Sequence, residues 1–146
     1  MRLSSIQPHY FPRLHYLARM LASDVFVLHD DVQFVRRHRY PDGSKDVSHQ
    51  AHAPVKGPDG PHLLTVSTKL GGRWPLHETR LCHDQPWASK QIKVIKSFYA
   101  SSPNLRALMP EIEWILQQRF STIAEFDIAT TCWALGHVLG EPLRVP

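Results

Sequence analysis

The chain has 146 residues, of which 42% are hydrophobic and 21% charged. That balance fits one soluble domain with a single core, and no apolar run reaches the roughly 20 residues that cross a bilayer. The formal net charge is +4 with ten histidines besides, which favours anionic small-molecule partners. Only Arg36-Arg37-His38-Arg39 forms a dense basic run, and no nucleic-acid-binding signature accompanies it, so nucleic acid is a minority expectation. Met1 to Ile6 contains no long apolar segment, which argues against a secretory leader and for the cytoplasm. Cys82 and Cys132 stand far apart and belong to no C-x-x-C pair, so they read as free thiols.

In chain order, Leu3-Ser4-Ser5-Ile6 is a short apolar-rich run stopped at Gln7-Pro8, the pattern of a first strand. His9-Tyr10-Phe11-Pro12 makes a tight loop. Leu14, Leu17, Ala18 and Leu21 at helical spacing predict an amphipathic helix over residues 13–22. Val25-Phe26-Val27-Leu28 then reads as a strand buried on both faces. Strand, helix and strand within about 30 residues make a βαβ unit with a parallel pair. Pro41-Asp42-Gly43-Ser44 and the 57–61 segment are turns, and Gly57 with Gly60 suggests a hairpin between Val55 and Leu63. A strand is expected over residues 63–68, a weak one within 47–55, a loop over 71–75 and a short strand over 77–81. Helices are expected from Pro86 to Pro103, over 105–120 with a break or fresh start near Pro110, and over 123–139. The third closes at Gly140-Glu141-Pro142, and residues 143–146 could begin another strand. The fold class is therefore α/β: an N-terminal βαβ unit with a short parallel or mixed sheet, then a largely helical second half.

Several of these elements together resemble the WbqC-like protein family. The resemblance is carried by Gln7-Pro8, Tyr10-Phe11-Pro12, Ala22-Ser23-Asp24 and Asp31-Val32-Gln33-Phe34. Weaker support comes from Gly60-Pro61-His62-Leu63-Leu64-Thr65-Val66, Trp87, Tyr99 and Leu139-Gly140. His52 stands near the family's Asn-Arg pair, residues 40–48 look inserted, and Ser67 stands where the family has proline. Family members continue into a further α/β segment, so residues 1–146 are expected to form one WbqC-like domain without it. The resemblance implies a setting in O-antigen or other surface-polysaccharide biosynthesis.

Ligands of open α/β sheets bind beyond the carboxyl ends of the strands, and a following helix N-terminus favours anions. This places Gln7, His9 and Tyr10 among the candidate substrate-binding residues, although the 10–12 loop could equally be packing. His29, Asp30 and Asp31 follow the second strand. Neighbouring carboxylates can bind a divalent metal, orient a sugar hydroxyl or act as a general base, or simply cap a turn. Alternation along a strand lets one of the two face a pocket, and Asp31 is the catalytic candidate, with Asp30 binding. Gln33 and Arg36 are further substrate-binding candidates, Arg36 as a clamp on phosphate or carboxylate. His52 is a candidate general base. No helical H-x-x-x-H pair is present, so no metal site is expected, and the identity of any cofactor stays open. A transferase acting on a nucleotide- or sugar-linked substrate would bring Gln7, Tyr10, Asp31 and Arg36 into one pocket. The alternatives are a non-catalytic binding module and an incomplete domain that needs a partner chain.

Overall fold

A computed structural model describes residues 1–69 and 73–140. The expected loop at Gly71-Gly72, the Glu141-Pro142 stop and the strand suggested for 143–146 lie outside them. The βαβ unit forms as its sequence predicts. Strands β1 (Leu3–Ile6) and β2 (Val25–Leu28) pair in parallel, from Leu3 opposite Val25 to Ile6 opposite Leu28. Helix α1 (Leu14–Leu21) connects them. Asp24 clasps the start of the pair. Its carboxylate accepts the Arg2 amide at 2.6 Å, and its own amide donates to the Arg2 carbonyl at 2.9 Å. The expectation that β2 is buried on both faces is corrected. Val25 and Val27 keep 45% and 40% of their surface exposed. Among the described residues the sheet has only these two strands, and α1 covers one side of it through Tyr16 and Phe26.

Two antiparallel hairpins follow. Strands β3 (Arg37–Arg39) and β4 (Lys45–Val47) fold the basic run, which could have been a solvated loop, onto the next segment. Their turn is set by Asp42, whose Oδ1 accepts from the Ser44 amide and hydroxyl, and by Gly43 at φ +83°. Strands β5 (His52–Gly57) and β6 (Gly60–Thr65) form the second hairpin around Pro58-Asp59. A Cβ on Gly57 would meet the Gly60 carbonyl oxygen at 2.8 Å, so the close of this hairpin requires glycine there. β6 therefore starts before residue 63 and ends at Thr65. Over 77–81 the expected strand is replaced by a 3-10 turn, Leu76–Glu78, with isolated bridges from Arg80 to Thr122 and Leu81 to Thr68.

Helices α2 (Trp87–Phe98), α3 (Leu105–Gln117) and α4 (Ile123–Leu139) complete the chain. α3 runs unbroken through Pro110, contrary to the break expected there. Proline removes one helical N–H and leaves the Arg106 carbonyl unpaired. Arg106 and Pro110 are both exposed, so water can serve that carbonyl. α4 begins with a capping box between Thr122 and Glu125 and ends at Gly140 in the left-handed conformation. The main core joins Tyr10, the β5–β6 hairpin, Leu76, Leu81 and the three later helices around Phe126. Gln91 is buried at its centre. It accepts from the Tyr10 hydroxyl and donates to the Thr65 carbonyl at 2.8 Å, tying loop, hairpin and helix together.

Candidate functional site

Two polar regions meet at the buried turn 48–51. The first lies at the exit of β1. There His9 packs against His49, ring centroids 5.5 Å apart, and against Tyr16 at 4.7 Å. Burial, then the neighbouring His49, His15, Arg13 and His38, push the His9 pKa down to about 4, so His9 is neutral at pH 7. His49 is lowered by burial and by Arg13. The Tyr10 amide donates to the His49 carbonyl at 2.9 Å, which fixes this turn to the β1 loop.

The second region is a cleft of about 460 Å³ on the other side of the same turn. Arg36, His52, Lys69, Cys82, Asp84 and Gln85 line it, with Ser67 and Thr68 on its floor. Arg36, His52 and the backbone of Cys82 are held by the local fold. The Arg36 guanidinium donates to Thr68 Oγ1 at 2.9 Å and keeps further N–H groups free for a ligand. The Arg36 carbonyl accepts from the Ser48 amide at 2.9 Å, anchoring the backbone behind it. His52 Nδ1 lies 3.0 Å from the Ser48 carbonyl. A carbonyl only accepts, so Nδ1 carries the proton and a neutral His52 leaves Nε2 as a base. The Cys82 amide donates to the Ser67 carbonyl at 2.8 Å, which brings the 82–85 segment alongside the end of the hairpin. Arg36 and Lys69 against Asp84 alone make the cleft cationic.

The candidate residues do not gather in one pocket, so the convergence of Gln7, Tyr10, Asp31 and Arg36 on which the expected transferase rested does not occur. Only Arg36 and His52 line the cleft. Tyr10 is 1% exposed and packs on Phe126 in the core, so of its two possible roles the packing one is realised in the structure. Gln7 is half-buried, and its carbonyl accepts from the Tyr16 hydroxyl at 3.0 Å. β2 ends at Leu28, so the alternation that singled out Asp31 does not extend to it. Instead residues 30–34 run beside residues 74–77. The Asp30 carbonyl accepts from His77, and Phe34 donates to Trp74. Gln33 bridges to Pro75 and is exposed. Asp31 is exposed, its Oδ1 3.5 Å from His29 Nδ1.

The residues 7–140 match the model of the WbqC-like protein family. The chain belongs to that family. No curated protein and no solved structure matches it. In this WbqC-like protein the motif residues Tyr10, Phe11, Val32 and Phe34 all serve the core or its edge, while the cleft is built beside them. Lys69, Cys82, Asp84 and Gln85 carry no recognisable spacing. They reach Arg36 and His52 through the Thr68–Leu81 bridge, a pairing invisible to local pattern. The one local signal is the polar turn His83-Asp84-Gln85, set between a buried Leu81 and a helix start. No helix among the described residues is long and apolar enough to cross a membrane.

Proposed function

We propose that this WbqC-like protein is a transferase of surface-polysaccharide biosynthesis, O-antigen or related, whose cleft takes a nucleotide- or sugar-linked anion. The observation that carries this is the placement of Arg36 and Lys69 with His52 in one cleft. Arg36, braced by Thr68, can fork two N–H groups onto a phosphate, and Lys69 adds a second cation. His52 Nε2 would take the proton of an acceptor hydroxyl as its oxygen attacks the activated carbon of the donor. The phosphates leave as an anion held by Arg36 and Lys69. Asp84 stands in the cleft where Asp31 was expected to serve, and it can orient the acceptor by accepting from a second hydroxyl.

Isothermal titration with a panel of sugar nucleotides tests the assignment. Arg36→Ala should weaken the best ligand by about tenfold or more, the loss of a charge-assisted pair. His52→Gln should leave binding within about twofold, and lower turnover at least about a hundredfold. Binding unaffected by Arg36→Ala would refute the site. A second reading, a binding module without turnover, is favoured by the position of Asp31 and Gln7 outside the cleft. It is separated by product analysis: a tightly bound donor that is never consumed selects it.

A further inference from the structure

A second pocket lies farther along the β5–β6 hairpin, at Ala53, Pro54, Val55 and Leu64, between that hairpin, α2, α3 and α4. It measures about 240 Å³ and shares no residue with the Arg36 cleft. Among its described lining residues there is no charged side chain. Its aromatic wall is made by Phe11, Tyr99 and Trp133, and its aliphatic wall includes Leu108. Trp133 is pinned. Its indole N–H donates to Glu111 Oε2 at 2.7 Å, and Phe11 meets it edge-on, with ring centroids 5.7 Å apart at 82°. Phe11 is held at φ +41°, the one non-glycine residue described in the left-handed region. Its amide donates to Thr130 Oγ1 at 3.1 Å. Such a conformation costs on the order of 1–3 kcal/mol and persists where the surroundings fix it. Here it sets a ring on a pocket wall.

The mouth is polar and partly unpaired. The Tyr99 hydroxyl accepts from the Lys56 amide at 3.0 Å, which leaves its own proton free to donate. Ser102 and Asn104 stand beside it on the lining. A volume of roughly 150 Å³ suffices for benzene in an apolar cavity, so this pocket has room for a fused ring. Three preset rings favour a flat π-system over an alkyl group of the same size. A charged ligand would enter without a counter-charge. We propose that this pocket binds a neutral aromatic ring bearing one hydrogen-bonding substituent, of the phenol or indole class, turned toward Tyr99 and Ser102.

Titration calorimetry of the whole chain with indole, phenol, cyclohexanol and benzoate tests this. Indole and phenol should bind with sub-millimolar Kd. Cyclohexanol should bind at least about fivefold more weakly, because it makes no edge-to-face contacts. Benzoate should bind at least about tenfold more weakly, because its charge is buried unpaired. Leu108→Trp fills the space and should abolish indole binding, whereas Arg36→Ala should leave it unchanged. In the unsubstituted chain, cross-relaxation should connect indole protons to Phe11 and Leu108, a readout that stands even if Leu108→Trp does not fold. Absence of indole binding, cyclohexanol binding as tightly as phenol, or cross-relaxation to residues outside the pocket would each overturn the assignment.

Discussion

Asp127 is the residue whose chemistry least fits its surroundings. It is fully buried on α4, and neither carboxyl oxygen has a hydrogen-bond partner. Burial pushes its pKa well above the ordinary carboxyl range. A carboxyl raised in the fold stabilises fully below its unfolded value near 4, and that contribution is lost as pH climbs toward its folded pKa. The slope is about −1.4 kcal/mol per pH unit. His9 has the opposite sign. Its pKa falls from 6.5 to about 4 in the fold, so its contribution is intact above about 6.5 and is lost as pH falls toward 4. Below about pH 6.5 the slope of Asp127 opposes those of His9 and of His49, whose pKa is also lowered in the fold. Urea melts from pH 4.5 to 8.5 should therefore show stability rising toward pH 6.5 less than the two histidines alone would give. Asp127→Asn should steepen that rise. Identical slopes across the whole range in both proteins would show that Asp127 is not protonated in the fold. A sequence signal exists here, since Asp127, Thr130 and Thr131 sit at helical spacing among the apolar residues between Phe126 and Leu135 of α4. Thr130 and Thr131 reach the backbone of Phe11 and His9, so the polar stripe marks where α4 grips the β1 loop.

At the level of elements, the legible ones were those whose ends are fixed by local chemistry. α4 was readable because Thr122 and Glu125 form a capping box and Gly140 supplies the left-handed stop. The β5–β6 turn was readable because Gly57 and Gly60 bracket it. The β3–β4 hairpin was not. Its strands, Arg37–Arg39 and Lys45–Val47, are short and charged, and they pair because the Asp42-Gly43 turn brings them together. The cleft was legible only at Arg36 and His52, since the residues opposite them arrive through long-range pairing. The cap itself gives a prediction. Thr122 Oγ1 accepts from the Glu125 amide, and the Glu125 carboxylate accepts from the Ser121 and Thr122 amides. Thr122 also bridges to Arg80 and is buried. Thr122→Ala should therefore cost about 1–2 kcal/mol, a fall in Tm of roughly 3–8 °C by differential scanning calorimetry. Thr122→Ser, which keeps the cap oxygen, should recover most of it. A serine variant as unstable as the alanine would place the loss in packing of the methyl group rather than in the cap.

Across the whole molecule, stability is unevenly distributed. No residue of β1, α1 or β2 belongs to the main core cluster. Within that unit Tyr16 and Leu17 are the buried residues of α1, and the strands expose Leu3, Val25 and Val27. Two parallel strands of four residues are marginal alone, and parallel sheets are ordinarily covered on both faces. The later part of the chain closes around Phe126, which touches Tyr10, Trp87 and Phe120. The two halves are connected by the 9–11 loop, held by Thr130, Thr131 and the His49 carbonyl, and by residues 30–34, which run beside residues 74–77. Local opening should therefore begin in the βαβ unit and stop at those two segments. Native-state amide exchange should find the β1–β2 amides opening about 3–4 kcal/mol more readily than those of α4 around Phe126, a rate ratio of roughly a hundredfold or more. Because the Arg36–His52 cleft is tethered to the turn 48–51 and to the hairpin rather than to β1, its neighbouring amides should exchange with the core. If the amides of β1 and the Phe126 region exchange at one common rate, the molecule opens as a single unit, and the βαβ unit is coupled to the core more tightly than its contacts indicate.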